Sequence, residues 1–269
     1  MAATLRQTAA VGRMVVDSRR VLYALTLIDC RQKYAGSILG TLWYPLYSLL
    51  LLGSYSFIYL VVFRMKYREF GTYGFVLFIF AGLIPYLGFS EALSGSVLSV
   101  RASLTLLRNS VFPLELVPLK LVLSAFVPLC CSLAIVILMI LPTSHAGWHL
   151  LYLPVPLISL LCLSLCGAWL LSGIAVAVPD VAQFVNIVLL LFMFVSPIGY
   201  SIDMVPERAR LFVYLNPMTF LIEAFRYSLL GVRHTPLWVD ALFLAGCGAA
   251  MCAAAALFRQ FVPALFDYE

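Results

Sequence analysis

Charge is what this sequence has least of. Only 11% of its 269 residues are Asp, Glu, Lys or Arg, against about 25% in soluble domains. That scarcity excludes an ordinary solvated surface. The signatures of enzyme chemistry are missing too. No GxxxxGK[ST] loop cradles a nucleotide phosphate, and no HExxH or GxSxG supplies zinc ligands or a nucleophile. Any ATP-driven process therefore needs its ATPase on a separate chain. Among the seven cysteines there is no CxxC pair, and the three histidines stand apart from them, so the spacing supports neither a metal site nor a disulfide framework. All but Cys30 fall within apolar runs, where cysteine serves as a small packing residue. Linkers, low-complexity tracts and internal repeats are also absent. One integral domain follows, without the two related halves of an inverted-repeat transporter.

What is present is apolar: 64% of the residues are hydrophobic, too many to hide in one globular core. A membrane span takes roughly 20 consecutive apolar residues in a helix. Six runs qualify, at 40–63, 75–100, 113–141, 151–178, 181–200 and 239–258. A further run at 211–230 is broken by Asn216, Pro217, Glu223 and Arg226, and reads as short helices dipping into the outer interface, with a seventh span as the alternative. The expected fold is an all-α polytopic membrane protein of six transmembrane helices, with an N-terminal interfacial helix before them and short outer helices between the fifth and sixth. The expected division is a cytoplasmic segment at 1–39 and a transmembrane domain at 40–269. No cleavable signal is expected, so the first span doubles as the targeting signal.

Basic residues near the span ends orient the chain. Arg6, Arg13, Arg19, Arg20, Arg31 and Lys33 precede the first span, and Arg101 and Arg108 lie between the second and third. Both termini are expected in the cytoplasm, although Arg64, Lys66, Arg68, Arg208, Arg210, Arg226 and Arg233 fall on the outer side. Within 11–28, Val11, Met14, Val15, Val21, Leu22 and Leu25 share one helical face and Arg13, Asp17 and Arg20 the other. This suits a helix in the headgroup plane, or a helix packed on a soluble partner.

Several residues are candidates for a role in transport. Glu91 is a carboxylate inside a span, where charge is costly and faces protein or water. Gly88, Ser94 and Gly95 share its face, which admits a close helix contact. Trp43, Tyr44, Tyr47, Tyr55 and Tyr59 form aromatic stripes along the first span. Such rings stack on sugar C–H faces, and they also populate membrane interfaces. Arg31 and Lys33 stand where anionic headgroups or diphosphates meet the inner leaflet, which is equally the place of positive-inside anchors. Arg101, Leu104, Leu107 and Arg108 form an apolar–basic turn able to dock a cytoplasmic partner or merely to connect two spans.

Four stretches carry a resemblance. They are LIDCRQKYAGSILGTLWYPL at 27–46, GLIPYLGFSEAL with LLRNSVFPLELVPL at 82–119, SPIGYSIDMVP at 196–206 and YLNPMTFLIEAFRYSLLG at 214–231. Together they resemble the permeases of type-2 ABC exporters, in the polysaccharide branch that exports O-antigen, capsule and teichoic acid. The resemblance implies a homodimer with a channel at its interface, two cytoplasmic ABC ATPase subunits and a lipid-linked polysaccharide cargo in the bacterial inner membrane. Membrane lipids are the remaining partners, and nucleic acid is not among them. No cofactor is expected on this chain, and ATP and magnesium belong to the partner ATPase. The resemblance also places Pro197, Tyr200, Asn216, Pro217, Glu223 and Arg226 at an outer gate. One departure is visible: Pro179 precedes Asp180 where such permeases carry arginine. A drug or lipid exporter of the same architecture, or a secondary transporter, remains the alternative.

Overall fold

The computed structural model describes residues 17–62, 64, 71–103, 113–143, 147–233 and 235–266, with side chains as far as residue 260. Every regular element among them is helical. The helices are α1 (Arg19–Gln32), α2 (Trp43–Phe57), α3 (Gly71–Ser96), the single turn α4 (Ser99–Ala102), α5 (Leu116–Ile140), α6 (Pro154–Ala177), α7 (Val181–Val195), α8 (Glu207–Leu215), α9 (Pro217–Leu230) and α10 (Leu237–Phe266). A 3₁₀ turn, Gly40–Leu42, leads into α2, and a π turn, Ile58–Val62, ends it.

Among the described residues, five helical stretches are long and apolar enough to cross a membrane: Gly40–Val62, Gly71–Ser96, Leu116–Ile140, Trp148–Ala177 and Leu237–Gln260. α7 has 15 residues, a rise of about 22 Å at 1.5 Å per residue. That is short of a hydrocarbon core of about 30 Å. The run expected at 181–200 is therefore helical only to Val195. Its end has a local cause: Ser196 precedes Pro197, and its ψ of 138° is extended, the conformation a following proline ring enforces. Pro179 acts in the same way on Val178, which leaves the helix with ψ 90° and ends α6. The run at 211–230 divides at Asn216 into α8 and α9, whose first position holds Pro217, a residue already shaped for a helix start.

α3 is the centre of the bundle. It is apolar all round rather than striped, and such a helix buries every face. Of its most apolar window 78% is buried, against 11% for the stretch that contains α2. α5, α6 and α9 pack around α3, and α10 lies along α6. Close approach to α3 needs glycine at two points. A Cβ on Gly88 would collide with the Leu129 side chain of α5. A Cβ on Gly82 would stand 3.2 Å from the backbone of Ile198 and 3.3 Å from Nη2 of Arg226.

Polar contacts fix the helix register, because lipid supplies no hydrophobic force between spans. Ser48 of α2 and Ser132 of α5 share a 2.5 Å hydrogen bond. Arg259 of α10 pairs with Glu115 at 2.6 Å, and the indole of Trp169 donates to the Glu115 carbonyl at 3.1 Å. α1 lies against α5 through buried Leu22, a 3.0 Å pair between Asp29 and Lys120, and a 3.4 Å contact between Cys30 and Ser124. Lys120 therefore has a partner within the bundle. The opposite side of α1 leaves Val21, Tyr23, Leu27 and Ile28 exposed. The residues 11–16 of the expected amphipathic face lie outside the described residues.

Candidate functional site

The candidate residues gather at two places, one at each end of the bundle. At the end where α1 meets α2, Lys33 follows the last turn of α1 and its ammonium pairs with the Glu91 carboxylate. Glu91 lies five residues before the end of α3, about 8 Å along the axis. The two side chains stay 42% and 33% exposed, so the pair faces open space. That space is a crevice of about 380 Å³ lined by Lys33, Tyr34, Tyr44, Tyr47, Leu87, Ser90, Glu91, Ser94 and Pro128. A second cavity of about 250 Å³ adjoins it, reached by Asp29, Gln32, Lys33, Glu91, Gly95 and Ser124 among others. Both cavities touch the ion pair, which stands between them.

The crevice is aromatic as well as charged. Tyr34 and Tyr44 meet edge to face with centroids 4.8 Å apart, and the Lys33 ammonium lies 5.9 Å from each ring centre. The Tyr44 hydroxyl donates to the Cys30 carbonyl at 3.1 Å, which ties α2 to α1. Tyr47 is 53% exposed and offers its ring to whatever fills the space. Burial raises the phenol of Tyr34 above its ordinary value, with Lys33 acting in the opposite sense. Trp43 stands apart, its indole donating to Ser37 at 2.8 Å and bracing the turn before α2. Arg31 is exposed. Arg101 reaches the Val176 carbonyl at 3.3 Å across α4 and α6. Leu104, Leu107 and Arg108 lie outside the described residues.

At the other end Arg226 gathers Glu223, Pro197 and Tyr200, Asn216 binds the neighbouring Ser196, and Pro217 opens α9. Arg226 of α9 is the largest fully buried side chain among the described residues. Its Nη1 donates to Oε1 of Glu223 at 3.0 Å and to the Tyr200 carbonyl at 3.5 Å. Its Nη2 donates to the carbonyls of Pro197 at 2.5 Å and Ile198 at 2.9 Å. Phe78 of α3 stacks under the guanidinium, 3.5 Å from ring centre to carbon. Asn216 caps α9 by accepting from the Met218 amide at 2.9 Å, and its amide group donates to Ser196 at 2.8 Å. The Tyr200 hydroxyl donates to the Val195 carbonyl at 2.5 Å. The irregular segment after α7 is thus tied to α9 and sealed against α3.

Tyr55 and Tyr59 belong to this second end of the bundle rather than to the crevice. Their rings stack 6.3 Å apart, Tyr59 meets Phe75 edge to face at 6.4 Å, and the Tyr55 hydroxyl contacts Met193 of α7 at 3.0 Å. Gly199 lies directly against the Tyr59 ring. The aromatic stripe of the first span is therefore divided, with Tyr44 and Tyr47 on the inner crevice and Tyr55 and Tyr59 on the outer segment.

Sequence reasoning passed over Tyr34, Asp29 and the outer cluster of Arg233, Asp240 and Tyr152. Asp29 stands four residues before Lys33, one helical turn away on the same face, which is a readable signal. In the outer cluster Arg233 pairs with Asp240, Tyr152 donates to Asp240 at 2.9 Å, and the Tyr227 ring lies 4.3 Å from the guanidinium.

Residues 20–230 match the family described as ABC-2 type transporter. The chain is 27% identical over 217 residues to the O-antigen export system permease protein RfbA of Myxococcus xanthus, covering 80% of this chain and 82% of that one. It is 24% identical over 211 residues to the protein of the same name from Klebsiella pneumoniae, covering 77% and 78%. A second Klebsiella pneumoniae protein of that name is 24% identical over 231 residues, covering 84% and 86%.

Proposed function

We propose, from the premise that this chain belongs to the ABC-2 type transporter family, that it is the permease subunit of an ATP-driven exporter moving a lipid-linked polysaccharide, O-antigen, across the bacterial inner membrane. The observation that carries the reading is similarity to O-antigen export permeases along about four-fifths of the chain. The geometry supports the cargo class. A crevice that joins exposed tyrosine to an exposed ammonium suits a glycan bearing a phosphate-linked lipid, because rings stack on sugar faces while the cation meets the phosphate. A purely apolar cargo would have no use for Lys33 and Glu91.

The working unit in this reading is a homodimer with two ABC ATPase subunits on the cytoplasmic side, where both termini lie. α7 carries an unpartnered apolar stripe, Phe184, Ile187, Leu191 and Phe194, all exposed, and the stretch containing α2 is scarcely buried. A second copy would cover these faces and place two crevices beside one path. The lipid carrier arrives at Arg31 and Lys33, and the glycan passes Tyr44 and Tyr47. ATP and magnesium act in the partner, which docks on α1 and the 101–108 turn. The outer network of Arg226 and Glu223 closes the far end until that motion reaches α9.

The test is to tag the chain in its host, extract it in mild detergent and identify what accompanies it, with a deletion strain examined for surface polysaccharide. The expected result is a stoichiometric P-loop ATPase and loss of the surface glycan, restored by a plasmid copy. An intact permease that repeatedly purifies without an ATPase, or a deletion strain with normal surface glycan, would overturn the reading.

A further inference from the structure

We infer that Glu91 is the resident counter-ion of a diphosphate site centred on Lys33, and that a cargo diphosphate takes Lys33 by displacing this carboxylate. The inference rests on the cargo class proposed above and adds a rule for which lipids gain access.

The crevice is rich in charge yet neutral in sum. Lys33 pairs with Glu91, and Lys120 pairs with Asp29 at 3.0 Å. An arriving anion therefore meets no free cation among these four, and it takes Lys33 only by breaking a pair. The two pairs are not equally strong. The Asp29–Lys120 side chains are 17% and 20% exposed, whereas Glu91 and Lys33 are 33% and 42% exposed. More water around an ion pair means weaker attraction and easier exchange. Lys33 is also built to turn. Its ammonium rides on a flexible four-carbon stem and presents three donors, so it can leave a carboxylate for a phosphate without backbone movement. The cavities on either side of the pair leave room for both the departing carboxylate and the arriving phosphates.

The arrangement gives selectivity. Most phosphates at a bilayer surface are diesters carrying a single negative charge. Such a group offers Lys33 no more charge than Glu91 already does, and so gains little by displacing it. A diphosphate carries at least two charges within one ion-pairing distance, and it wins the ammonium by Coulomb attraction. Glu91 thus sets a threshold: the weak hold of a monoanionic headgroup does not clear it, and the stronger hold of a diphosphate does. If the pair is formed about nine-tenths of the time, the apparent affinity for every anion falls about tenfold below its intrinsic value, with the ratio between anions unchanged.

The probes are farnesyl diphosphate and a singly charged diester, farnesyl methyl phosphate, titrated into purified full-length protein in detergent. The wild type should bind the diphosphate and hold the diester too weakly to register. E91Q should bind the diphosphate about tenfold more tightly as Lys33 is released, and should bring the diester into measurable range. E91A repeats the measurement without an amide that could still hold the ammonium, and both variants are checked by melting temperature. K33Q should bind neither probe well. If K33Q weakens binding while E91Q and E91A match the wild type in affinity for both probes, the exchange is overturned and the cargo class stands. If neither the wild type nor E91Q binds the diphosphate, cargo class and exchange fall together.

Discussion

Replacing Arg226 with methionine tests how the outer segment is held. The side chain is 0% exposed and its partner Glu223 is 1% exposed, so solvent cannot screen the consequences. The methionine fills much of the same space but donates nothing. A buried carboxylate then loses the guanidinium donor at 3.0 Å, and the carbonyls of Pro197 and Ile198 lose a charged donor. Breaking a buried pair by removing one partner costs about 3–5 kcal/mol. For a chain of this size each kcal/mol lowers the melting temperature by about 2–4 °C, so R226M should melt roughly 6–20 °C below the parent. The double variant R226M/E223L removes the carboxylate as well and should recover most of that loss. The assay is tryptophan fluorescence on heating in detergent, with all proteins at equal concentration. R226M melting within about 2 °C of the parent would refute the argument. A double variant no more stable than R226M would locate the penalty in the carbonyls instead of the carboxylate.

Three further predictions use the same protein. Gly82→Val should destabilise by about 1–3 kcal/mol, because the backbone of Ile198 and the guanidinium of Arg226 stand too close for a side chain to be accommodated; a melting temperature equal to the parent's would show that the outer segment moves aside freely. Ser124→Cys should form a disulfide with Cys30 under mild oxidation, since the present atoms are 3.4 Å apart, and peptide mapping that finds no crosslink would remove α1 from its seat on α5. Tyr47→Ala should leave the melting temperature nearly unchanged, as its ring is largely exposed, but should slow polysaccharide export; normal flux in cells would take Tyr47 out of the path.

The spans were legible because length and apolarity are properties of a run, readable without knowing what surrounds it. Their ends were legible only in part. The run at 181–200 looks continuous on hydropathy, yet Pro197 marks the true stop one residue earlier, at Ser196. The break at Asn216 was visible for the same reason, since an Asn-Pro pair reads as a cap followed by a first helical position. Lys33 and Glu91 each stood out alone, but their meeting spans 58 positions of sequence and depends on where α1 rests on α5. The outer network is less readable still. What surrounds Arg226 is a set of backbone carbonyls, and carbonyls have no sequence signature. Resemblance to a family brought those six residues to notice, whereas their mutual contacts came from the fold alone.

The two ion pairs differ in a way that orders the proposed transport cycle. The Lys33–Glu91 pair is partly hydrated, so it exchanges at little cost and can respond to cargo alone. The Arg226–Glu223 pair is dry and held by carbonyls of the segment after α7, so opening it separates two charges that meet in the closed state. A penalty of several kcal/mol at that end exceeds what one exposed contact at the inner crevice can return. Cargo binding is therefore enough to load the inner site but not to open the outer one. The remaining work has to arrive through the bundle, and α3 is the element placed to carry it: Glu91 stands near one end, Phe78 and Gly82 meet Arg226 in its other half, and 78% of its most apolar window is buried. A loaded transporter without nucleotide should accordingly remain shut, and a probe that reports access to Tyr200 from the outer side should change only when ATP is supplied. Access gained on cargo binding alone would break this ordering.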